Sequence, residues 1–481
     1  MSKLVAKYKS ISPAIKASVW FIVANFLQKG IALITTPIFT RMLTTEEYGT
    51  YSLYQTWYQV IYIFATLNLA SGVFNKGMLK FRSDRNGFTS SLQGLSSIAT
   101  IVCLVVYLPF MNFFNNLFGL PTIVVLFMMA EILVAPALSF WSLRQRFEYK
   151  YVFLIIVTLI MSVLSPTLSF VLIKMRGDAG VSRIVGVCLV SICFSLFFYV
   201  FNFIRGKRFF NKDYWKYALR FNLPLIPHFL SSIVLAQADR IMIEKMYGKS
   251  YVAIYSVSYT LASIINLFVT GINYIFIPYT YQKVDEGDFE SIRNKSKFLL
   301  VFIGVICLVP ILVAPEIMAF IAPAEYADGV WIIPPVSLSC YFIFLYTIFC
   351  NIEFAYESNF YTMVSSVIAA LLNIALNFIC MRWFGYMAAG FTTLACYIAL
   401  SIFHYFAYLK VCKKQGIKQI YSIKFIIIFS IALLVVAFLF ALLYSNLRAR
   451  IAILICIFGV AIYFRKRIIG FLKEFAQSRK K

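Results

Sequence analysis

Stretches of about 20 predominantly apolar residues recur from one end of this sequence to the other, and no gap between them could hold a soluble domain. At 1.5 Å per residue, about 20 helical residues cross a hydrocarbon core roughly 30 Å thick. Each stretch is therefore a candidate membrane-spanning helix. Composition agrees: 62% of the 481 residues are apolar and only 13% are charged. Soluble domains carry nearer a quarter charged residues, so lipid is the main solvent of this chain.

Fourteen spans are expected, at 14–38, 50–73, 92–114, 120–142, 151–173, 184–204, 217–237, 251–277, 297–315, 331–352, 361–381, 388–409, 425–444 and 450–464. The net charge is +25, from 44 Lys+Arg against 19 Asp+Glu, and its distribution is informative. Both termini and every second loop together hold 33 of the 44 basic residues, the other seven loops hold 10, and Lys29 is the last. Basic residues favour the cytoplasmic side, which puts both termini there. One missed helix would scramble this alternation. Basic charge here sets topology, and no nucleic-acid partner is expected.

Ten cysteines are scattered, nearly all within spans, with neither metal-site nor disulfide spacing. They are expected to pack as small, soft side chains, and no metal site is expected. A basic N-terminus before an apolar run imitates a signal peptide. Lys29 interrupts that run and no clear small-residue cleavage site follows, so an uncleaved first helix is expected.

A repeat is present. In "RMLTTEEYGTYSL" Arg41 precedes Tyr48-Gly49 by seven residues, and in "DRIMIEKMYGKSYVAIYSV" Arg240 precedes Tyr247-Gly248 by seven. The offset of 199 residues contains six spans, an even number, so the copies are expected to run parallel about an axis along the membrane normal. The same offset pairs Lys29 with His228, each twelve residues before its arginine. Pro224 and Pro227 are expected to kink the span that holds His228.

Intramembrane polar residues are the candidates for function. Lys29 lies about 13 residues, or roughly 20 Å, into its helix, too deep to snorkel easily. Facing lipid would cost at least ~2.5–3.5 kcal/mol, so it should face protein or water. Asn25 is four residues away on the same face, and Gln28 is adjacent. Of the 19 acids, Glu131 alone sits clearly inside a span. It either pairs with Lys29 or carries a proton or sodium ion that drives transport. Asp239 is a second candidate for ion coupling, beside Arg240. Arg41 and Arg240 have guanidinium groups suited to phosphate oxygens. Asn373 and Asn377, four apart, form either a polar cavity patch or interhelical glue.

Several classes are absent. There is no GxxxxGK[ST] phosphate loop, no HExxH and no GxSxG with plausible triad partners. Transport rather than enzyme chemistry is expected, with no cofactor beyond a proton or Na+ gradient.

The runs "TPIFTRMLTTEEYGTYSL" and "ADRIMIEKMYGKSYVAIYSV" resemble the polysaccharide biosynthesis family, the Wzx-type flippases of the multidrug/oligosaccharidyl-lipid/polysaccharide (MOP) exporter superfamily. Elsewhere the likeness rests on length, duplicated halves and loop pattern. It implies an all-α integral membrane protein of about 14 transmembrane helices. Two six-helix bundles, 1–210 and 211–412, would be related by a pseudo-two-fold along the membrane normal, and 413–481 would add two helices and a basic cytoplasmic tail. It implies that an undecaprenyl-pyrophosphate-linked oligosaccharide is moved to the outer leaflet of the bacterial plasma (inner) membrane, in O-antigen, capsule or related glycan assembly. A glycan polymerase and a chain-length regulator are the protein partners it suggests. The cationic cavity it implies is carried here to Lys29, Arg41, His228 and Arg240, histidine standing where a permanent charge would serve better. The alternatives are a cation-coupled multidrug exporter of the same superfamily and a membrane glycan polymerase or ligase. The latter usually needs a sizeable outward loop, and the longest here has about fifteen residues.

Overall fold

The computed structural model describes residues 13–463 and residue 465. The basic stretches expected before the first helix and after the last lie outside the described residues. Packing divides the chain into two units, one ending at Ala253 and the other starting at Ile254. All regular elements among the described residues are helices.

The first unit contains α1 (Pro13–Met42), α2 (Thr45–Thr66), α3 (Val73–Lys80), α4 (Arg85–Tyr107), α5 (Met111–Phe118), α6 (Thr122–Phe147), α7 (Tyr151–Arg176), α8 (Ala179–Gly206), α9 (Lys212–Asn222), α10 (Ile226–Tyr247) and the start of α11 (Lys249–Ala262). The second unit continues with the rest of α11, then α12 (Ile265–Asp285), α13 (Phe289–Leu312), α14 (Ala314–Ile321), α15 (Ile333–Ala355), α16 (Asn359–Phe384), α17 (Ala388–Gln415), α18 (Ile423–Leu442) and α19 (Leu447–Tyr463).

Each of the fourteen expected spans falls on one or more of these helices. Among the described residues ten helical segments are long and apolar enough to cross a membrane, or eleven when the bent pair α11–α12, turned by 44°, is taken as one span. α1, α2 and α19 are not among them. The reason is plain in α2, whose sequence "TEEYGTYSLYQTWYQVIYIFAT" interleaves tyrosine, threonine and glutamine with its apolar residues.

Short-range chemistry sets the helix starts. Thr44 Oγ1 accepts from Glu47 N at 3.2 Å while Glu47 Oε2 accepts from Thr44 N at 2.8 Å, a reciprocal cap that restarts the chain as α2 two residues after α1 ends. Asp178 accepts from Val181 N at 3.1 Å at the head of α8, and Asp288 accepts from Ser291 N at 3.1 Å at the head of α13. Prolines lie inside α1, α6, α7, α12 and α13, as membrane helices tolerate.

In the first unit α6 and α7 both pack along α8, while α2 contacts α4, α6, α8 and α10. Buried amides tie these helices where lipid supplies no hydrophobic drive between them. Asn202 Nδ2 on α8 donates to Gln93 Oε1 on α4 at 3.0 Å and to the Ala137 carbonyl on α6 at 3.1 Å. In the second unit α15 is the central helix, buried along nearly all its length against α12, α13, α17 and α18. Its sequence is predominantly apolar, as an enclosed helix requires, and the polar residues it does carry, among them Ser337, Asn351 and Glu353, are buried with it.

The two Tyr-Gly repeats have different local structures. Gly49 lies inside α2, where an added Cβ would run into the backbone carbonyl of Lys249. Gly248 lies between α10 and α11 at φ +95°, where only glycine sits without strain. The first glycine allows a close approach and the second a helix break, so the matched dipeptides are not equivalent points in their helices.

Candidate functional site

α2 presents a polar, aromatic stripe. Tyr51, Tyr54 or Gln55, Tyr58 and Tyr62 recur at helical spacing, so they share one face. Their rings form a ladder, with centroids 6.2 Å apart from Tyr54 to Tyr58 and 5.8 Å from Tyr58 to Tyr62.

Two cavities flank this ladder and share Tyr58. The larger, about 720 Å³, is a vestibule between α2, the end of α6 and the start of α10, with Gln59, Tyr62, Ser139, Ser142, Arg146 and Ser232 on its walls. The hydroxyls of Tyr62 and Ser139 lie 3.4 Å apart there, and Gln237 Nε2 donates to Gln59 Oε1 at 3.2 Å. The smaller, about 350 Å³, is a chamber bounded by α1, α2, α6, α7 and α8 and lined by Gln28, Thr35, Tyr51, Tyr54, Gln55, Glu131, Ser162, Ser165 and Arg183. An apolar groove of about 290 Å³ between α1 and α7 shares Ile31, Thr35 and Pro166 with it.

Two ionisable side chains, Glu131 and Arg183, line the chamber. Glu131, only 6% exposed on α6, accepts a hydrogen bond from the Tyr54 hydroxyl, which also lies 3.1 Å from Cys188 Sγ. Arg183, 9% exposed near the start of α8, sets its guanidinium 3.3 Å from the ring centroid of Phe39 and 4.8 Å from that of Tyr51. Its Nε and Nη1 are buried without a hydrogen-bond partner.

The structure gathers some expected residues and disperses others. Gln28 and Glu131 share the chamber. Asn25 is half-buried one turn earlier on α1, while Lys29 is exposed and lines neither cavity. Arg41 is exposed at the end of α1, its Nη1 donating to the Pro37 carbonyl at 3.1 Å. His228 is half-buried on α10 with Nδ1 lacking a partner, and the vestibule is lined by its neighbours Phe229 and Ser232. Asp239 and Arg240 are buried in α10, and Arg240 Nη1 donates to the Ala236 carbonyl at 3.0 Å. In the second unit Asn377 donates to Asn373 at 3.2 Å and accepts from Thr392, which ties α16 to α17.

Two expectations need correction. Glu131 does not stand alone among acids inside spans: Glu353, in the last turn of α15, is fully buried against His404. A span that ends at 352 leaves Glu353 in a loop, whereas the helix runs on to Ala355. A span drawn from 184 leaves Arg183 among the loop cations, yet α8 begins five residues earlier, at Ala179 behind its cap Asp178, and carries Arg183 inward. The cap residue Asp178 was the available signal.

The sequence family described as polysaccharide biosynthesis protein matches residues 14–284, more than half of the chain. This chain belongs to that family. Among curated members of the wider set, a protein of the Lsg locus of Haemophilus influenzae is similar, 21% identical over 375 residues, covering 75% of this chain and 89% of that one. The structure titled lipid II flippase MurJ, in an inward closed conformation, matches with a TM-score of 0.73 at 16% identity, covering 94% of this chain and 100% of that chain. An inward-facing multidrug resistance MATE transporter of the MOP superfamily matches with a TM-score of 0.61 at 14% identity, covering 80% of this chain and 96% of that one. At these identities the likeness is one of fold. The polysaccharide biosynthesis family member described here is an all-α, multi-pass membrane protein with the MOP exporter fold.

Proposed function

We propose that this protein is a flippase that carries an undecaprenyl-pyrophosphate-linked oligosaccharide from the cytoplasmic to the outer leaflet of the bacterial plasma membrane by alternating access. A pyrophosphate and its sugars cannot cross hydrocarbon unaided, because stripping their hydration without replacement is too costly. The prenyl tail can stay in lipid. A carrier must therefore offer hydrogen bonds and cationic contacts to the head along a path through apolar helices.

The observation that supports this reading is the pair of cavities inside the first unit that share Tyr58 and carry tyrosine, glutamine and serine on their walls. Tyrosine and glutamine suit sugars: ring faces stack on the C–H faces of a pyranose, and hydroxyls and amides bond its hydroxyls. By the charge alternation of the loops, the vestibule opens toward the cytoplasm and the chamber lies deeper toward the outside. Lys29, one residue past the chamber-lining Gln28, is assigned to the headgroup phosphates. Neither family membership nor the fold favours a drug exporter over a glycan-lipid carrier, but the hydroxyl-rich lining does not resemble the acidic wall that a cationic drug would require.

The test is gene deletion in the native host with complementation. Lipid-linked repeat units should accumulate on the cytoplasmic leaflet and clear when the protein is restored. Accumulation on the outer leaflet would point to a polymerase or ligase and overturn the reading.

A further inference from the structure

We propose that α3 and α9 together form a docking surface for anionic phospholipid, whose phosphates lie along five uncompensated cations while its acyl chains meet apolar side chains at the ends of α9. The inference goes beyond the transport reading and does not depend on what the protein carries.

The two short helices lie at the membrane face: α3 follows α2, and α9 leads through Leu223–Leu225 directly into α10. Their inner sides share one apolar cluster, in which Phe74 and Met78 of α3 and Tyr214 and Ala218 of α9 are buried with Phe88 of α4. Asn222 ties their ends, its Oδ1 accepting from Val73 N at 2.9 Å and its Nδ2 donating to the Leu67 carbonyl at 2.7 Å. Lys76 Nζ lies 5.1 Å from the ring centroid of Phe221, and Lys80 Nζ lies 4.3 Å from that of Tyr217. Rising numbers on one helix meet falling numbers on the other, so the pair is antiparallel and its outer face is fixed.

That face is cationic. Lys76 and Lys80 are four residues apart on α3, and Lys212, Lys216 and Arg220 are four apart on α9, so each helix carries one stripe, and all five side chains are exposed. Among the described residues no ion pair involves any of them; Asp84, beside α9, is bound by Arg208 at 2.9 Å and by the Tyr214 hydroxyl at 3.0 Å. Asp213 is the one acid on α9 and offsets a single charge at most. Like charges at this spacing repel, so the surface is complementary to an anion. Phe209 and Phe210 before α9 and Leu223 after it are exposed as well. Aromatic and aliphatic side chains flanking cations where a helix enters the bilayer suit headgroups with chains attached. Lipid already surrounds that level, and a protein partner would have to displace it.

The experiment uses the full chain in neutral detergent with phosphatidylglycerol or phosphatidylcholine of the same acyl chains, bound lipid being counted by native mass spectrometry. Each cation near an anionic surface is worth roughly fivefold. Native protein should therefore prefer phosphatidylglycerol by roughly tenfold or more. Lys212→Gln, Lys216→Gln and Arg220→Gln combined should weaken phosphatidylglycerol binding by roughly tenfold or more and leave phosphatidylcholine unaffected. Lys413→Gln, Lys414→Gln and Lys418→Gln combined, which remove as many exposed charges from another loop, should change neither. If the α9 variant fails to fold, Lys76→Gln with Lys80→Gln reads the same surface from α3: several-fold weaker binding supports it and unchanged binding overturns it. The proposal is overturned if the folded α9 variant binds phosphatidylglycerol like native protein, which would favour an acidic protein as the partner. It is also overturned if the control variant loses as much, which would make the attraction diffuse. Displacement of the lipid by glycerol 3-phosphate at matched concentration would overturn it too, by assigning the cations to free phosphate.

Discussion

His404 Nδ1 lies 2.8 Å from Glu353 Oε1, with side-chain exposures of 1% and 0%, in the interior of the second unit. Thr362 Oγ1 donates to the other carboxylate oxygen at 3.0 Å, and the Tyr346 ring stacks on the imidazole with centroids 5.4 Å apart. Three helices, α15, α16 and α17, are thereby joined at one buried polar point. Removing one partner leaves the other buried and unmatched, so His404→Ala should destabilise the protein by about 3–5 kcal/mol. Replacing both with apolar residues of similar volume should recover most of that. Thermal unfolding in detergent measures it, and an unchanged midpoint for His404→Ala would remove the pair from any structural role.

Tyr58 is common to both cavities of the first unit. If its ring is a platform for sugars, Tyr58→Phe should keep most export while Tyr58→Ala lowers it roughly tenfold, since stacking is worth about 0.5–1.5 kcal/mol beyond area burial. Surface glycan per copy of protein is the readout. Equal export by both variants would dissociate the ladder from the substrate.

Lys29→Ala should lower export by roughly tenfold, the worth of one charge-assisted hydrogen bond, while membrane insertion is unaffected. The ammonium is exposed on a helix deep in the chain's first span, a position that demands water or an anion beside it. Normal glycan display at matched protein level would contradict the assignment.

Much of this was legible in sequence, and the exceptions have a common cause. Hydropathy located the helices because crossing lipid requires long apolar runs. Glu131 stood out because an acid in the middle of such a run has no interfacial explanation. Arg183 and Glu353 were hidden because each sits one residue outside a span drawn from hydropathy. At a helix end the same residue can anchor at the interface or turn inward under a neighbouring helix. Only packing distinguishes these cases: Phe39 and Tyr51 cover Arg183, and α17 covers Glu353 with His404. The Tyr-Gly repeat failed differently, since two glycines of equal spacing serve a close approach in one copy and a helix break at positive φ in the other.

Outside the spans, Asp288 couples stability to pH. Hydrogen bonds from Ser291 and Lys283 hold its carboxyl down at about 2. Lys283 Nζ lies 2.9 Å away. A depressed acid stabilises the fold above its unfolded value and loses that contribution as pH falls through its folded value. Asp288→Asn should therefore melt lower than native protein near neutral pH, with the gap closing between about pH 4 and pH 2. A gap that stays constant over that window would refute the coupling.

Arg450, at the start of α19, holds Glu316 of α14 with both arms, at 2.5 and 2.7 Å. It also donates to the last carbonyl of α13, Leu312, at 2.9 Å, and to Leu443 and Tyr444, the two residues that follow α18, at 3.1 and 3.2 Å. One guanidinium thus closes the negative ends of α13 and α18 where they run out of internal partners. The final helix is in this sense a plug for its predecessors. A chain cut after Tyr444 would lose more than an appendage, since three carbonyls and a carboxylate would be left competing for whatever water reaches the membrane face.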